Sequence, residues 1–160
     1  VLWQRSPANT PGYLNLPEKK AEVFTPDGWY NSGDVFRRDE NGAYYFVGRN
    51  DDMFVCGGEN IYPGEVEATL VSHPKVEQAC VISVPDDIKG EKPIAFVVPS
   101  HGSRASADEI KQHTLAHAPA FQHPRMVIFL DELPLSGPGK IDRKTLQQQG
   151  REIWQNEELK

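Results

Sequence analysis

The spacing of apolar residues changes near residue 52 of this 160-residue chain. Upstream, apolar residues come in short groups between turn formers, and Asn41-Gly42 before the apolar stretch 43–47 predicts a β-hairpin. Downstream, the apolar runs at 78–84 and 92–99 predict buried strands. The change indicates that the two parts of the chain are organised differently.

Helix signals alternate with strand signals in the second part. Pro63 suits the first turn of a helix that runs to about residue 72. Ser106 and Glu109 form a capping box, which predicts a helix to about residue 118. The loop PLSGPGK then precedes a short last helix that begins near Asp142.

The order of these elements predicts the fold class. Short strands at 53–55 and within RMVIFLDEL accompany the two apolar runs and the helices. We therefore predict an α+β fold, with a compact domain at 52–160 that packs helices on a short sheet. Residues 1–51 are predicted to be β-rich, with short strands and turns.

Composition and charge exclude several classes of protein. Hydrophobic residues make up 38% of the chain and the formal net charge is −6, which argues against disorder and against nucleic-acid binding. No apolar run approaches the length of a membrane span. Cys56 and Cys80 have no metal or redox spacing, so we interpret them as reduced thiols and expect a cytoplasmic protein.

Two short segments carry candidate chemistry. In PLSGPGKID, glycines precede Lys140, so that backbone and an ammonium group can approach phosphoryl or acyl oxygens, although the P-loop spacing is absent. In GRNDDMFVCGGENIYPGEVE, the acidic pair at Asp51 and the glycines Gly57 and Gly58 interrupt an apolar run. A solvated surface lysine and ordinary turns are the alternative interpretations of these two segments.

Together with GWYNSGD, these segments resemble three ordered motifs of the acyl-adenylate-forming superfamily, which contains acyl- and aryl-CoA ligases, adenylation domains and luciferases. GGENIYPGEVE is most similar to the CoA ligases. The resemblance implies that residues 1–51 end the large AMP-binding domain and that residues 52–160 form the mobile C-terminal domain. The family's phosphate loop and acid pocket lie upstream of these motifs, so we expect a segment of a longer protein.

The resemblance also implies an activity. Such a ligase converts a carboxylic acid, fatty or aromatic, and ATP into an acyl-AMP, rotates its small domain and forms a thioester with CoA. Because the phosphate loop and the acid pocket lie outside this chain, the isolated chain is expected to be inactive. Mg²⁺ would be bound mainly by the absent N-terminal domain. The alternatives are a stand-alone adenylation domain that loads a carrier protein, and a non-catalytic interaction module.

Residue roles follow from the same resemblance. Asp34 matches the aspartate that binds the ATP ribose, and Arg49 matches an arginine near the ribose and phosphates, with a surface salt bridge as its alternative. Asp51 matches the hinge, and Lys140 matches the catalytic lysine of adenylation.

A second group of residues matches the CoA-binding part of the family. Its proposed members line the pantetheine tunnel or meet the CoA nucleotide, and they are Gly57, Gly58, Glu59, Phe121, His123 and Arg125. The alternative to a CoA-binding role is that Phe121 packs in the core and that Arg125 is a solvated residue at the start of a strand. Lys89 stands where some aryl-CoA ligases place a tryptophan. Glu109, His113 and His117 share a helix side, but we expect no metal site because a fourth ligand is not evident.

Overall fold

The chain forms two compact units, Val1–Asp52 and Met53–Lys160. The structure is a computed structural model that describes residues 1–137 and 139–158. Pro138 of the glycine-rich loop and the predicted domain end at residue 160 lie outside the described residues. Within the described part, none of the helices is both long and apolar enough to cross a membrane.

The first unit contains two short antiparallel ribbons and one helix. Its elements are β1 (Trp3–Gln4), α1 (Pro17–Val23), β2 (Tyr30–Asn31), β3 (Asp34–Arg38) and β4 (Tyr44–Arg49). β1 pairs with β2, and β3 pairs with β4, which confirms the predicted hairpin at Asn41-Gly42. The prediction of strands and turns alone was wrong, because Pro17 starts a helix in the sequence PEKKAEV. Lysine, glutamate and alanine are good helix formers, but seven residues are too few to show a helical period.

The second unit packs three helices on a five-stranded sheet. Its elements are β5 (Phe54–Cys56), β6 (Glu59–Ile61), α2 (Pro63–Val71), β7 (Val76–Asp86), β8 (Gly90–Pro99), α3 (Ala107–His117), β9 (Met126–Phe129), β10 (Leu135–Ser136), β11 (Lys140–Ile141) and α4 (Arg143–Glu158). The sheet order is β6-β5-β8-β7, and β9 pairs with β8 in parallel. The predicted α+β class is confirmed.

β7 and β8 each contain a nearly continuous apolar run because helices cover both faces of the sheet. Val81 and Val97 point into a cluster that includes residues of α2 and α3. Ile82 and Phe96, one residue away on each strand, point into a second cluster with Leu146 of α4. Since successive strand residues face opposite sides, two-sided burial requires a continuous apolar run. The two runs at 78–84 and 92–99 are therefore confirmed as buried strands.

Helix starts follow the predicted signals. Pro63 lies in the first turn of α2. The Ser106 side chain accepts a hydrogen bond from the Glu109 amide at 3.1 Å, so the capping box is confirmed. The last helix was predicted to be short, which was wrong: α4 has 16 residues.

The glycine-rich loop before Lys140 is a small hairpin, which corrects the prediction of an irregular loop. β10 and β11 pair in antiparallel fashion, with Ser136 opposite Lys140. Gly137 and Gly139 have φ angles of 51° and 82°, in the region that favours glycine. Strands of two residues carry no alternation, so the sequence displays only the turn formers.

Gly150 allows α4 to lie close to the sheet, and this generates a stability prediction. A Cβ at Gly150 would lie 2.6 Å from Ile82 Cδ1 and 2.8 Å from Ile94 Cδ1, and both isoleucines are buried. We expect Gly150→Val to destabilise the second unit by about 2 kcal/mol through overpacking. Urea unfolding measures this, with exposed Gln149→Val as the control. Equal stability of the two variants would contradict the close approach.

Candidate functional site

In the first unit, three predicted site residues form one hydrogen-bonded group. Asp34 begins β3 and Arg49 ends β4, and the two residues are opposite each other in the ribbon. Arg49 Nη1 donates to Asp34 Oδ1 at 3.1 Å, while Arg49 Nε and Nη2 donate to the two Asp51 carboxylate oxygens at 3.1 and 3.3 Å. The guanidinium therefore bridges the predicted ribose ligand and the predicted hinge residue.

The turn before β3 positions Asp34 within this group. Gly33 has a φ of 73°, and a Cβ there would lie 2.9 Å from Arg49 Nη2. Ser32 Oγ donates to the Leu2 carbonyl at 3.0 Å and accepts from the Asp34 amide at 3.1 Å. A glycine and a hydroxyl residue at these positions let the arginine reach across the ribbon.

A polar cleft of about 330 Å³ adjoins this group. It is lined by Tyr13, Lys19, Val23, Tyr30, Asn31, Ser32, Gly33, Arg49, Asn50 and Asp51. Hydrogen bonding to Arg49 lowers the pKa of Asp51, and the charge of Lys19 lowers it further. Asp51 in turn raises the pKa of Arg49. The cleft thus offers fixed charges of both signs and amide groups to a polar ligand.

In the second unit, Gly57 and Gly58 form the two-residue turn of a tight hairpin. Cys56 and Glu59 are opposite each other in β5 and β6, and the two glycines have φ angles of 60° and 88°. Positive φ at both positions is the signature of a turn that glycine fits best. The turn interpretation therefore holds, and it is compatible with a ligand because a Cβ at Gly58 would meet nothing within 4 Å.

Lys89 lies beside this turn. The Gly57 amide donates to the Lys89 carbonyl at 2.9 Å, and the Lys89 stem would lie 3.7 Å from a Cβ at Gly57. The Asp86 carboxylate accepts the Lys89 amide at 2.8 Å, which shapes the β7–β8 turn. Glu59 begins β6 on the exposed side of the hairpin. The glycine hairpin therefore presents open backbone with one carboxylate and one ammonium group nearby.

Phe121, His123 and Arg125 lie between α3 and β9. Phe121 belongs to a 3-10 turn that contacts β6, and it is half-buried against the core, which gives weight to the alternative of a packing role. Arg125 Nη1 lies 3.4 Å from His123 Nδ1. Burial lowers the pKa of His123, and the charges of Arg125 and Lys111 lower it further. The His123 imidazole therefore binds a proton less readily than an ordinary histidine does.

Arg125 has one unsatisfied donor. Its Nε is buried and has no hydrogen-bond partner within residues 1–137 and 139–158. A buried donor without a partner is costly in a folded protein and calls for a reason. An anionic ligand would supply the missing acceptor.

Lys140 lies on a different hairpin from the glycine pair. It is exposed at the start of β11, and its carbonyl accepts from Ser136 Oγ at 3.4 Å. Ile141 packs against the core cluster of α4, and the Asp142 amide donates to the Pro134 carbonyl at 2.7 Å. The ammonium group therefore extends into solvent from an anchored backbone.

The helix side with Glu109, His113 and His117 makes ordinary protein contacts. Glu109 pairs with Lys75 at 2.8 Å, and the rings of His113 and His117 stack at 4.2 Å. Across the described residues, no group of three or more histidine, cysteine or acidic side chains has a geometry that would hold a metal ion.

Sequence reasoning missed an ion pair close to Lys140 in the chain. Arg143 Nη2 donates to both carboxylate oxygens of Glu67, at 2.8 and 2.9 Å. Arg143 follows Lys140 by three residues, and this closeness in sequence is the one signal that could have drawn attention to it. Glu67 lies 76 residues earlier, and no local pattern predicts that pairing.

Comparisons with known proteins find relatives of this chain among CoA ligases. The chain is 38% identical over 144 residues to a 2-succinylbenzoate–CoA ligase of Geobacillus sp. (strain WCH70), covering 90% of this chain and 29% of the ligase. It is 46% identical over 130 residues to a feruloyl-CoA synthase of Amycolatopsis sp., covering 81% of this chain and 26% of the synthase. The chain thus spans less than a third of the length of these relatives.

Solved structures are also similar to this chain. The amide bond synthetase McbA from Marinactinospora thermotolerans superposes with a TM-score of 0.87 at 32% identity, covering 93% of this chain and 30% of the synthetase. The fold is therefore that of the C-terminal part of adenylate-forming enzymes. Residues 65–140 match the family model of the AMP-binding enzyme C-terminal domain. Over these residues the chain is similar to that family.

The Arg49–Asp51 contact generates a pH prediction. The lowered pKa of Asp51 means that its contribution to stability is present above the ordinary value of 3.8 and is lost as the pH falls through the folded-state pKa. We expect Arg49→Gln to raise the pKa of Asp51 towards 3.8, as measured by NMR titration of the carboxyl carbon. Asp86, in the other unit, is the internal control and should not shift. An unchanged pKa of Asp51 in the variant would show that Arg49 does not bind the Asp51 carboxylate in solution.

Proposed function

We propose that this chain is the C-terminal part of an acid–CoA ligase, which activates a carboxylic acid with ATP and transfers the acyl group to CoA. The observation that carries this proposal is the match to two named CoA ligases over 81% and 90% of the chain. Asp34, Arg49, Gly57, Gly58 and Lys140 are retained, which disfavours a non-catalytic interaction module.

The two compact units support an assignment to two different domains. We assign residues 1–51 to the end of the large AMP-binding domain and residues 52–160 to the mobile domain; the two units divide after Asp52. Asp51 is then the hinge. Its carboxylate is held by Arg49 through two hydrogen bonds, which fixes the chain up to the point where rotation would begin.

The polar group in the first unit suits a nucleotide. The Asp34 carboxylate has two acceptor oxygens, which is what a vicinal ribose diol requires from one side chain. Arg49 orients that carboxylate through its contact at 3.1 Å, and its side chain is 45% exposed, so that the guanidinium remains accessible to phosphate oxygens.

Lys140 supplies a mobile positive charge for adenylation. Attack of the acid carboxylate on the α-phosphorus forms the acyl–phosphate bond and breaks the bond to pyrophosphate, so negative charge shifts between oxygens. An ammonium group placed beside those oxygens stabilises the transition state more than the separated reactants. The exposed position of Lys140 on the β10–β11 hairpin supports this role.

The CoA end is assigned to the glycine hairpin and to the segment before β9. The open side of Gly58 admits a thin chain, and Glu59 follows on the same hairpin. Arg125, with its unsatisfied buried donor, would meet a CoA phosphate, and His123 lies beside it. Phe121 is exposed only in part, so any stacking on the adenine would use one ring edge or face.

Mg²⁺ would accompany ATP, with its ligands mainly in the large domain. The acid is fatty or aromatic, as in the named relatives, which include a feruloyl-CoA synthase and a medium-chain acyl-CoA ligase. We place the protein in the cytoplasm, and the support is that Cys56 and Cys80 are both buried, as thiols of a reducing compartment are.

The acceptor of the acyl group has an alternative. A carrier-protein thiol would use the same adenylation chemistry, and the similarity to an amide bond synthetase gives a specific reason to test an amine as well. CoA remains the proposal because the curated relatives named above are CoA ligases.

Replacing Lys140 tests the proposal. In the full-length protein, we expect Lys140→Ala to lower acid-dependent ATP–pyrophosphate exchange by about 100-fold or more, because transition-state charge stabilisation is lost. Thioester formation from a supplied acyl-adenylate and CoA should change by less than about threefold, because that step follows the loss of pyrophosphate. Mass spectrometry of the products, with a panel of fatty and aromatic acids, identifies the acid class.

Lys144→Ala is the matched control, since Lys144 is an exposed lysine four residues further along the chain. Residues 1–160 alone should show no exchange. Exchange by that isolated chain would overturn the assignment to an incomplete site. An acyl-adenylate that forms but reacts only with a carrier protein or an amine would remove the CoA assignments at Phe121, His123 and Arg125.

A further inference from the structure

The backbone that carries Lys140 is anchored from its C-terminal side. β10 and β11 form a separate two-stranded ribbon with two residues in each strand, which is too small to be rigid by itself. After Lys140, Ile141 packs into the core, Asp142 caps α4 by accepting from the Thr145 amide at 3.1 Å, and Arg143 begins α4. The position of the lysine therefore depends on how the start of α4 is held.

Arg143 holds that start against two other elements. Its Nη2 donates to both carboxylate oxygens of Glu67 in α2, and its Nη1 donates to the Val81 carbonyl of β7 at 3.1 Å. Glu67 Oε1 also accepts the Val81 amide at 2.8 Å. Both main-chain groups of Val81 are thus bound by the two side chains, which take the place of a neighbouring strand at this edge of the sheet.

The pair joins helices that belong to different faces of the sheet. α2 contributes to the core cluster on one face, and α4 contributes to the cluster on the other. The Glu67 side chain is 16% exposed and that of Arg143 is 32% exposed, so the contact is largely shielded from water. A shielded guanidinium that binds a carboxylate with one nitrogen and a main-chain carbonyl with another fixes orientation as well as distance.

We propose that Arg143, through Glu67 and Val81, is a positioning residue that sets the place of Lys140 for adenylation. The inference rests on the proposed function of Lys140. Arg143 holds the backbone three residues away, and the hairpin transmits that position to the ammonium group. A small displacement of a group that must meet reacting oxygens lowers the rate of the chemical step strongly.

The test uses Arg143→Lys in the full-length protein. Lysine keeps the charge but has a single nitrogen, so it cannot bind Glu67 with one nitrogen and the Val81 carbonyl with a second, as the arginine does. We expect kcat for acid-dependent ATP–pyrophosphate exchange to fall about 10- to 100-fold. Thioester formation from a supplied acyl-adenylate should stay within about twofold, since that step does not use Lys140. Arg151→Lys, the same change at an exposed position of α4, should leave both steps unchanged.

Glu67→Gln provides a second variant if Arg143→Lys folds poorly. Its amide oxygen can still accept the Val81 amide, but the charged contact with Arg143 is lost. It should show the same split between the two steps. Hydrogen exchange of the Ile141 and Asp142 amides in the 160-residue chain gives a readout apart from activity, and both should exchange faster in either variant.

The outcomes separate this inference from the proposed function. Equal losses in both steps would show that Arg143 acts only on general stability, and an unchanged exchange rate would show that it does not position Lys140. Either result overturns the inference while the ligase assignment stands. A full-length protein that adenylates no acid overturns both.

Discussion

The pairing of β7 with β8 is the constraint on which the second unit depends. The two strands run antiparallel from Val76 opposite Pro99 to Asp86 opposite Gly90, and helices cover both faces. Each candidate functional group in this unit is tied to that pair. The Gly57 amide binds the Lys89 carbonyl in the β7–β8 turn, the Arg125 amide binds the Pro93 carbonyl, and Arg143 binds Val81. The long β7–β8 ladder thus holds the segments that would meet ligands.

The first unit obtains its order in a different way. The buried apolar residues of the described chain lie in the second unit, whereas Tyr44 and Phe46 of the β3–β4 ribbon are each 59% exposed. Turn hydrogen bonds and the Arg49 contacts stabilise the local geometry instead. A ribbon with exposed aromatic residues needs a further apolar surface to become a stable domain. This feature supports the proposal that these residues complete a larger domain.

The sequence predicted those elements whose signals are local. The capping box at Ser106, the proline at the start of α2 and the apolar runs of β7 and β8 each act through neighbouring residues, so they could be identified without tertiary information. Helix α1 and the β10–β11 hairpin were missed because their elements are too short to display a repeating pattern of apolar residues. The Glu67–Arg143 pair was missed because only the folded sheet brings those two side chains together. Site residues were found through motifs, and geometry adds their mutual contacts.

The basic residues of the candidate site have different roles, which follow from the chemistry of lysine and arginine. Lys140 is a point charge on a flexible stem, which can reach different oxygens but has little positional accuracy by itself. Arginine has a planar fork. Arg49 places two nitrogens on the Asp51 carboxylate, and Arg143 places Nη2 on Glu67 and Nη1 on the Val81 carbonyl. The arginines bind groups of the protein and fix the position of its backbone. The lysine is exposed, and its flexible side chain can reach the ligand. The proposed rotation of the second unit would require both properties, because a mobile charge is useful only if its backbone returns to the same place.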